Sequence, residues 1–398
     1  MCYVERVPPN LLYLTHRVPY PPDRGDRIRN WHVLKFLSQR ASVWLGCLAD
    51  EPPSEETSRI LREICAHVAI EPLDRSRWLR AAGGVLLGRT VSEGAFASPK
   101  LRRIIAEWAK QANFTAAIAS ASSLVPYLRT RELRGVPAVV DVVDVDSQKF
   151  FDYAAAAAPP RSWLYRLEGW RLRRVEAALP AWAKAVLLVS PAEAGLFNKF
   201  AKPGPVYAIT CGVDLDYFCP RPMIEEPACV FVGVLDYRPN VDAACWFVKA
   251  VWPELHRRRP ELRFRLVGRQ PTPAVRELAK TAGVTVIGEV PDVRPALAAA
   301  SVAVMPLRIA RGVQNKVLEA LAMGKACVAS PAALAGVPAV PGEHLLSATT
   351  PPEWVLAVER LLDDADLRSR LGATGRAYVE MNHTWERCLE PLACILDL

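Results

Sequence analysis

The sequence of 398 residues lacks the short motifs on which several large enzyme classes depend. It contains no Cys-x-x-Cys pair and no His-Glu-x-x-His pattern, which argues against the common structural and catalytic zinc sites. A Gly-x-Ser-x-Gly elbow and a Gly-x-x-x-x-Gly-Lys-Ser/Thr loop are also missing, so hydrolase and nucleoside-triphosphatase functions lack their main residues. No Gly-x-Gly-x-x-Gly turn follows an early strand, which disfavours a dinucleotide-dependent oxidoreductase.

Long apolar runs are absent as well, since no stretch approaches the ~18 to 20 residues that a membrane-spanning helix needs. Residues 1–6 do not follow the charged-then-apolar plan of a signal peptide. Several of the ten cysteines lie inside apolar stretches, as small buried side chains do in a reducing compartment. We therefore expect a cytoplasmic protein, and we assign the cysteines no chemistry.

What the sequence does contain is ample material for a core, because 51% of its residues are hydrophobic and only 23% are charged. Since a single core rarely grows past ~250 to 300 residues, this length predicts two domains. Residues 1–205 hold 29 Lys and Arg against 20 Asp and Glu, whereas residues 206–398 hold 21 against 22. The excess positive charge therefore lies in the first half, where it suits an anionic partner or an Arg-rich solubilising surface.

Short apolar segments alternate with helix-compatible stretches in both halves, which predicts parallel, doubly wound sheets. In the first half the predicted strands are residues 11–15, 42–47, 68–70, 116–119, 136–143 and 185–189. In the second half they are residues 229–232, 263–267, 284–287, 302–305 and 326–329. A Pro- and Gly-containing stretch at 202–205 would join two Rossmann-like domains that face each other across a cleft.

Five arginines lie between positions 161 and 174, interleaved with Trp, Tyr and Leu residues. On a helix this composition is basic and amphipathic, and it is able to lie on a membrane interface. We favour an ordinary packed helix with solvated arginines, because the segment is short and Glu168 interrupts the basic face.

The most informative segment runs from the predicted strand 302–305 through a glycine-containing loop into a helix that ends at Gly324. A strand, loop and helix in this order leave backbone N–H groups and the positive end of a helix dipole where a phosphate can bind. Lys316 and Glu319 are three residues apart and share one face of that helix. A cation for a diphosphate and a carboxylate for vicinal hydroxyls would then point the same way.

At these residues the sequence resembles glycosyltransferase family 4, whose members are retaining enzymes of the GT-B fold. The family carries a Glu, seven further residues and a second Glu here, and Glu319, followed by Ala-Leu-Ala-Met-Gly, matches the second. In the family that residue binds the ribose of a nucleotide-sugar donor. Residues 312–319, Gly-Val-Gln-Asn-Lys-Val-Leu-Glu, resemble more closely a subgroup associated with exosortase/PEP-CTERM exopolysaccharide systems.

The chain departs from the family pattern at two positions. Arg311 stands where the family's first Glu contacts the donor sugar, so the sugar must be held differently or the donor differs. Val234 stands where family members place an Arg for the diphosphate. Lys316 or Arg238 would compensate, and of the two we prefer Lys316.

The resemblance covers nearly the full length and implies a donor site in the second half. Residues 231–242 resemble the glycine loop that opens the donor domain, while residues 267–269 and 286–292 resemble strand ends around the nucleotide base. Residues 211–214, Cys-Gly-Val-Asp, resemble the family's linker motif. The implied donor-binding residues are Gly233, Arg238, Gly268, Glu289, Val290, Gly312, Val313, Asn315, Lys316 and Glu319.

In the first half, residues 20–29 resemble the glycine loop that closes over the donor phosphates and the acceptor. Gly25 permits close backbone approach, and Arg27 or Arg29 would neutralise charge that develops on the departing diphosphate. At the end of the predicted strand 136–143, Asp144 and Asp146 would bind acceptor hydroxyls. A metal at these aspartates is the weaker alternative, because many GT-B enzymes need none. The implied catalytic residues are Gly25, Arg311, Lys316 and Glu319.

The sequence therefore predicts an α/β protein of the GT-B fold that works as a retaining, metal-independent hexosyltransferase. Residues 1–205 would form the acceptor side, residues 206–383 the donor-binding domain, and residues 384–398 a helix that crosses back to the first domain. The substrates would be a nucleotide-diphospho-sugar and a glycan or lipid-diphosphate-linked acceptor of exopolysaccharide biosynthesis. We expect no cofactor besides this co-substrate, no nucleic-acid partner, and a candidate peripheral location at an anionic inner membrane face.

Two rival hypotheses remain at this point. Arg311 and Val234 would also suit a GT-B protein that kept the fold and lost turnover, a non-catalytic surface protein. Paired Rossmann-like domains also serve dinucleotide-dependent oxidoreductases, although the glycine turn of that class is missing.

Overall fold

The computed structural model describes residues 8–74 and 76–398. The chain divides into two compact units, the first made of Met1–Ile209 with Leu389–Leu398 and the second of Thr210–Cys388. The sequence placed this division a few residues earlier, at 205. The last helix is Trp385–Leu396, and its part from Leu389 onward belongs to the first unit.

The first unit is built on one parallel sheet. Its strands are β1 (Asn10–Thr15), β2 (Ser42–Ala49), β3 (His67–Pro72), β4 (Phe114–Ser120), β5 (Ala138–Val143), β6 (Ala185–Leu188) and β7 (Val206–Ala208). They lie in the order β3-β2-β1-β4-β5-β6-β7. The helices are α1 (Gly25–Ser38), α2 (Glu55–Ile64), α3 (Arg77–Leu86), α4 (Val91–Ala95), α5 (Pro99–Gln111), α6 (Val125–Leu128), α7 (Asp146–Ala155), α8 (Arg161–Ala178) and α9 (Pro191–Asn198).

The second unit repeats this plan with its own parallel sheet. Its strands are β8 (Glu226–Val232), β9 (Arg263–Val267), β10 (Val284–Gly288), β11 (Ala300–Met305), β12 (Cys327–Ala329) and β13 (Leu346–Ser347). They lie in the order β10-β9-β8-β11-β12-β13. The helices are α10 (Arg238–Ala250), α11 (Trp252–Arg258), α12 (Pro273–Glu277), α13 (Arg294–Ala299), α14 (Asn315–Ala322), α15 (Pro331–Leu334), α16 (Pro351–Asp363), α17 (Ala365–Asn382) and α18 (Trp385–Leu396).

Each unit has its own core, and the central strands are buried along almost their whole length. In β1 the residues from Leu11 to Thr15 are buried, and β11 is buried throughout. Near-continuous apolar strands are what a parallel sheet needs, because helices cover both of its faces. The predicted doubly wound sheets are therefore confirmed in both units. Strands β7 and β13 were not predicted from the sequence.

Local signals at the loop ends set where several helices begin. The Ser98 hydroxyl accepts a hydrogen bond from the Leu101 N–H at 3.2 Å, and Pro99 stands in the first turn of α5. Thr90 and Glu93 cap α4 reciprocally. Among the residues that the structure describes, no helix has the length and apolar character to cross a membrane.

Both sheets have a switch point, where the order of the strands reverses. β1 lies between β2 and β4, and β8 lies between β9 and β11. In each unit the strands that follow the first one are therefore added on one side of it, and the later strands on its other side. The loops that leave the carboxyl ends of such neighbouring central strands run in opposite directions and open a crevice, where ligands of α/β proteins commonly bind. In the second unit these are the loops 233–237 and 306–314, and in the first unit they are residues 16–24 and 121–124.

Candidate functional site

Three glycines at the carboxyl ends of β8, β9 and β10 pack backbone against backbone. The Gly233 N–H donates to the Val267 carbonyl at 3.0 Å, and the Gly268 N–H donates to the Gly288 carbonyl at 2.7 Å. Gly268 has a φ of +151°, and a Cβ at this position would lie 1.8 Å from the Gly233 carbonyl oxygen. No side chain fits there, so Gly268 is required by the close approach of the two strand ends.

The loop between β11 and α14 brings the start of a helix to the neighbouring strand end. Gly312 has a φ of +58°, a conformation that favours glycine. The Gln314 side-chain amide donates to the Arg311 carbonyl at 2.8 Å, which holds the last turn of the loop before α14 begins at Asn315. The first N–H groups of α14 therefore lie at the carboxyl end of the sheet, beside the loop that follows β8.

Lys316 connects these two loops. Its Nζ donates to the Asn240 side-chain oxygen on α10 at 2.8 Å and lies 5.6 Å from the centre of the Phe231 ring. A Cβ placed on Gly233 would lie 3.3 Å from Lys316 Cε, so the lysine side chain runs directly over the glycine at the end of β8. The structure thus brings Gly233, Gly268 and Lys316 together at the place where the sheet order reverses.

Asn240 is held in the orientation that Lys316 needs. It is buried, and its side-chain amide donates to the Val234 carbonyl at 2.9 Å, which turns the amide oxygen towards the ammonium group. The partner of Lys316 is therefore a neutral oxygen, and this hydrogen bond does not compensate the positive charge.

Removal from water shifts the pKa of both ionisable groups on this face of α14. Burial lowers the pKa of Lys316 to about 8, although the Glu319 carboxylate opposes this shift. Burial raises the pKa of Glu319 to about 7, and the Lys316 charge opposes that shift in turn. Both groups titrate close to neutral pH, where a charged ligand is able to change their protonation.

A second link joins the same two loops. Arg308, in the loop after β11, donates from Nε to the Asp242 carboxylate on α10 at 2.9 Å, and its Nη2 bonds the other carboxylate oxygen. This fork-like pair is too exposed to contribute much to stability. Together with the bond between Lys316 and Asn240, it fixes the spacing between α10 and the loop that leads into α14.

The remaining predicted donor residues are spread around this cluster. Arg238 and Glu289 are exposed, at the first turn of α10 and after β10, whereas Arg311 is half-buried in the loop before α14. Val290 packs partly against the core of the second unit. Gly312 is buried, and Val313, Asn315 and Glu319 are half-buried along the same loop and helix.

Arg29, which the resemblance assigned to the departing diphosphate, is committed to the interior of the first unit. Only 2% of its surface is exposed. Its Nε and Nη2 donate to the two oxygens of Asp141 at 2.8 and 3.2 Å, and Nη1 donates to the Ile209 carbonyl at 3.0 Å. The guanidinium of Arg29 thus already serves a buried ion pair, which leaves Arg27 as the better candidate of the two predicted arginines.

The loop after β1 contains a cluster of charged side chains around Asp26. The Asp26 carboxylate accepts from Arg17 at 2.7 Å and lies 3.3 Å from His16 Nε2. Burial alone would raise the pKa of Asp26, but His16 and Arg17 together hold it well below its usual range. Arg27 pairs with Asp23 one turn earlier at 3.1 Å. A Cβ on Gly25, at the start of α1, would meet nothing within 4 Å, so packing in the first unit does not require this glycine.

The two aspartates predicted to bind acceptor hydroxyls lie where β5 passes into α7. Asp144 is half-buried in the connecting turn. Asp146 is the first residue of α7, its carboxylate accepts from the Ser122 hydroxyl at 3.2 Å, and burial raises its pKa. In the part of the chain that the structure describes, no three His, Cys, Asp or Glu side chains converge as metal ligands would. Metal independence stays a prediction.

Sequence reasoning missed three residues that build the cluster at α14. Asn240 and Asp242 stand inside the segment 231–242 that carried the resemblance, but neither was given a role. Arg308 lies in the loop between the predicted strand 302–305 and the helix that carries Lys316. Their polar character close to a predicted strand end was the available signal, but only the fold shows which partners they reach.

Comparison with known proteins places a family on this region. Residues 226–364 match the family model described as "Glycosyl transferases group 1", and this range includes β8, the glycine loop and all of α14. The match lies within the second unit. None of the curated proteins matches the chain by sequence.

Solved structures of similar fold cover almost the whole chain. Sucrose-phosphate synthase from Thermosynechococcus elongatus superimposes with a TM-score of 0.71 at 17% identity, over 98% of each chain. Anabaena HepE in complex with UDP gives a TM-score of 0.69 at 14% identity, over 98% of this chain and 99% of its own. The UDP-forming trehalose-phosphate synthase from Burkholderia xenovorans gives 0.63 at 13% identity, with the same coverage. The predicted GT-B fold is therefore confirmed.

Proposed function

We propose that the protein is a retaining glycosyltransferase whose second unit binds a nucleotide-diphospho-sugar. The observation that carries this proposal is a lysine at the switch in strand order whose ammonium donates to a neutral amide oxygen, that of Asn240. Lys316 lies beside the first turn of α14 and over Gly233, at the point where the order of the sheet reverses. A diphosphate placed there would meet an ammonium group and free helix N–H groups together.

The charge of Lys316 suits a group that becomes more negative during the reaction. When a sugar leaves a nucleotide diphosphate, negative charge develops on the phosphate oxygen that had carried it. An ammonium in a partly dehydrated site stabilises that charge more strongly than the same group in water. Binding the diphosphate would also raise the pKa of Lys316 from about 8, so the lysine would be fully protonated in the complex.

Glu319 would anchor the nucleoside part of the donor. It lies on the same face of α14 as Lys316, and a carboxylate accepts hydrogen bonds from two adjacent hydroxyl groups. Its pKa of about 7 means that a protonated fraction is present near neutral pH in the free protein. A diol that donates two hydrogen bonds would favour the charged form and lower this pKa.

The finer points of the proposal follow from the sequence resemblance at residues 312–319. They are membership of family 4 and of the exosortase-associated subgroup, retention of the anomeric configuration, hexosyl transfer without a metal, and a role in exopolysaccharide biosynthesis. The first unit would carry the acceptor, a glycan or a sugar on a lipid diphosphate. HepE, similar in fold, has been solved with UDP and with UDP-glucose, which makes UDP-sugars the first donors to test.

A binding screen tests the donor half of the proposal. The folded protein is heated with UDP-, GDP-, ADP- and dTDP-sugars in turn, because a ligand that binds only the folded state raises the melting temperature. We expect a rise with at least one nucleotide sugar, a strongly reduced rise for Lys316→Met, and an unchanged rise for the exposed Lys280→Met. If no nucleotide sugar shifts the melting temperature, the donor proposal fails.

A turnover assay separates the proposal from its two rivals. Incubation with the donor that binds should release free nucleoside diphosphate, slowly without an acceptor and faster with one. Retention of configuration is then read from the anomeric proton signals of donor and product. Donor binding without any release would instead support the non-catalytic GT-B protein that Arg311 and Val234 suggest. A melting shift with nicotinamide dinucleotides alone would support an oxidoreductase.

A further inference from the structure

Helix α8 of the first unit packs with its polar side inward. Glu168 is buried and accepts hydrogen bonds from the Val91 and Ser92 N–H groups at 2.7 and 2.9 Å, at the start of α4. Glu176, about two helical turns further along α8, is also buried and accepts a hydrogen bond from the Ser147 N–H at 3.1 Å. The carboxylates of α8 therefore point into the protein, where they cap neighbouring helices.

The large apolar side chains of α8 point the other way. Trp163 and Trp170 are 65% and 62% exposed, and Leu164 and Leu167 between them are also exposed. Positions 163, 164, 167 and 170 follow the spacing of one helix face. Sequence reasoning favoured an ordinary packed helix, but α8 is inverted relative to that expectation, with an apolar outside and a polar inside.

Helix α3 also exposes large apolar side chains, although the residues that it buries, Ala81 and Gly84, are small rather than polar. Trp78, Leu79, Leu86 and Leu87 are all exposed, Leu86 by 89%. Contacts tie α3 and α8 to the same region of the unit. The chain leaves α3 through Arg89, whose carbonyl accepts from Arg171 of α8 at 2.9 Å. We call the exposed apolar residues of α3 and α8 the outer face.

The exposed charges on the α8 part of the outer face are arginines. Arg161, Arg166 and Arg174 are exposed on α8, whereas its two carboxylates are buried. Within the residues that the structure describes, no carboxylate lies in ion-pairing distance of these three guanidinium groups. The excess positive charge of the sequence also lies in residues 1–205. Along α8 the outer face is thus apolar in its middle and basic at its border, whereas beside α3 Arg77 and Arg80 pair with Asp50 and Asp74.

The second unit provides a contrast within the same chain. Its exposed large hydrophobic residues, such as Leu356 and Met381, lie on separate helices, which is ordinary for a soluble surface. Exposed apolar residues gathered at helical spacing on two linked helices are a different case. They mark a surface that is covered in the working state of the protein.

We propose that the outer face docks on the surface of an anionic lipid bilayer. Tryptophan suits the boundary between lipid headgroups and acyl chains, leucine inserts below it, and arginine binds anionic headgroups. A second copy of the chain would bring two basic borders together, and their repulsion disfavours it. The proposal rests on α3 and α8 alone, so it stands or falls independently of the donor site.

Vesicle binding tests the proposal on the full chain. The purified protein is mixed with vesicles of phosphatidylcholine, with or without phosphatidylglycerol, and the bound fraction is measured by sedimentation at low and high salt. We expect binding to the anionic vesicles, at least roughly tenfold weaker without phosphatidylglycerol and clearly reduced at high salt. A blue shift of tryptophan fluorescence, quenched by brominated lipid, should accompany binding. Absence of binding to anionic vesicles at low salt would overturn the proposal.

Two pairs of variants locate the contact. Trp163→Ala with Trp170→Ala should lower the partition coefficient roughly tenfold or more, whereas Leu356→Ala with Met381→Ala in the second unit should leave it unchanged. Arg166→Gln with Arg174→Gln should lower it by a similar factor, with Arg360→Gln and Arg370→Gln as the matched control.

All these positions are exposed, so circular dichroism and melting temperature should match the wild type in every variant. Equal binding by wild type and by both α8 variants would contradict the proposal. It would also be contradicted if the protein formed concentration-dependent dimers that the Trp163→Ala, Trp170→Ala variant abolished, without any vesicle binding. That result would assign the outer face to a second copy of the chain.

Discussion

The two units share one strand order but use the carboxyl ends of their central strands differently. In the first unit, the buried arginine of α1, Arg29, is paired with the Asp141 carboxylate of β5. In the second unit a lysine lies at the switch in strand order, and its hydrogen-bond partner is the neutral side chain of Asn240. The same strand order therefore does not give the same chemistry. The Arg29 guanidinium is already paired with a carboxylate, whereas the Lys316 ammonium bonds a neutral oxygen and is able to bind an anionic ligand.

The units also differ at their surfaces. The first unit gathers its exposed Trp and Leu residues on α3 and α8 among arginines, whereas those of the second unit are scattered. The second half of the chain is also close to neutral.

The largest expected effect concerns the buried pair of the first unit. Arg29→Met leaves the Asp141 carboxylate buried without its partner, and we expect it to destabilise the first unit by about 3 to 5 kcal/mol. Arg59→Met, which breaks an exposed pair with Glu63, should cost less than about 1 kcal/mol. Urea unfolding of both variants measures the difference. A loss for Arg29→Met as small as that for Arg59→Met would mean that the buried pair does not hold the first unit.

Replacing Lys316 should reduce activity and leave stability unchanged. Lys316→Met keeps most of the side-chain volume, so we expect no loss of melting temperature, while kcat/KM for sugar transfer falls by about 10²- to 10³-fold. Steady-state kinetics at saturating acceptor measures this, with Lys280→Met as the exposed control. Normal transfer by Lys316→Met would remove the contrast between the two strand ends.

Asn240 provides a further test, because its neutral side chain is the hydrogen-bond partner of the Lys316 ammonium. Asn240→Ala should reduce kcat/KM about tenfold, since the ammonium loses the bond that orients it. Asn240→Asp places a carboxylate beside Lys316 and should raise its pKa above about 8. The alkaline limb of the pH profile of kcat/KM should then move to higher pH. A profile that does not move would argue against Lys316 as the group behind that limb.

The pH dependence of stability tests the environment of Glu319. Its pKa is raised from 4.5 to about 7 in the folded protein, so the folded state holds the proton over a range where the unfolded state has lost it. This contribution to stability is present below pH 4.5 and is lost as the pH rises through about 7, by at most about 1.4 kcal/mol per pH unit. The difference in unfolding free energy between wild type and Glu319→Gln should fall over this range. A constant difference would show that Glu319 is not shifted.

Gly25→Ala should change stability only slightly, and in the stabilising direction. A Cβ there meets nothing within 4 Å, and alanine is favoured in a helix, so Gly25→Ala should raise the unfolding free energy by up to about 1 kcal/mol. If a substrate approaches the backbone at this glycine, as the resemblance implies, the same variant should lose activity. Full activity in Gly25→Ala would refute that role.

The sequence alone was sufficient for the architecture. Strands such as β9 at Arg263–Val267 were predicted with the bounds the structure gives, because apolar runs between turn residues are the signature of buried parallel strands. The sequence also singled out Lys316 and Glu319, since their spacing alone puts them on one helix face.

The partners of charged side chains could not be predicted in the same way. Arg29 and Asp141 are more than a hundred positions apart, and nothing local shows that they pair. Asn240 and Lys316 are 76 positions apart, and nothing local shows that they pair either. The direction in which α8 faces was also hidden, because its Trp and Leu residues look like a packing stripe until Glu168 and Glu176 are seen to be buried. Long-range pairing decides these points, and periodicity carries no information about it.

The most direct test of Lys316 as the diphosphate ligand is the number of protons that the protein takes up when it binds a nucleoside diphosphate. Titration calorimetry with UDP near pH 8, in buffers of different ionisation enthalpy, reports the protons that the protein takes up. We predict uptake of a substantial fraction of a proton by the wild type, because a bound diphosphate raises the pKa of Lys316 from about 8, and no such uptake by Lys316→Met. UDP binding with the same proton balance in both proteins, or equal affinity for both, would contradict the assignment of Lys316 to the diphosphate.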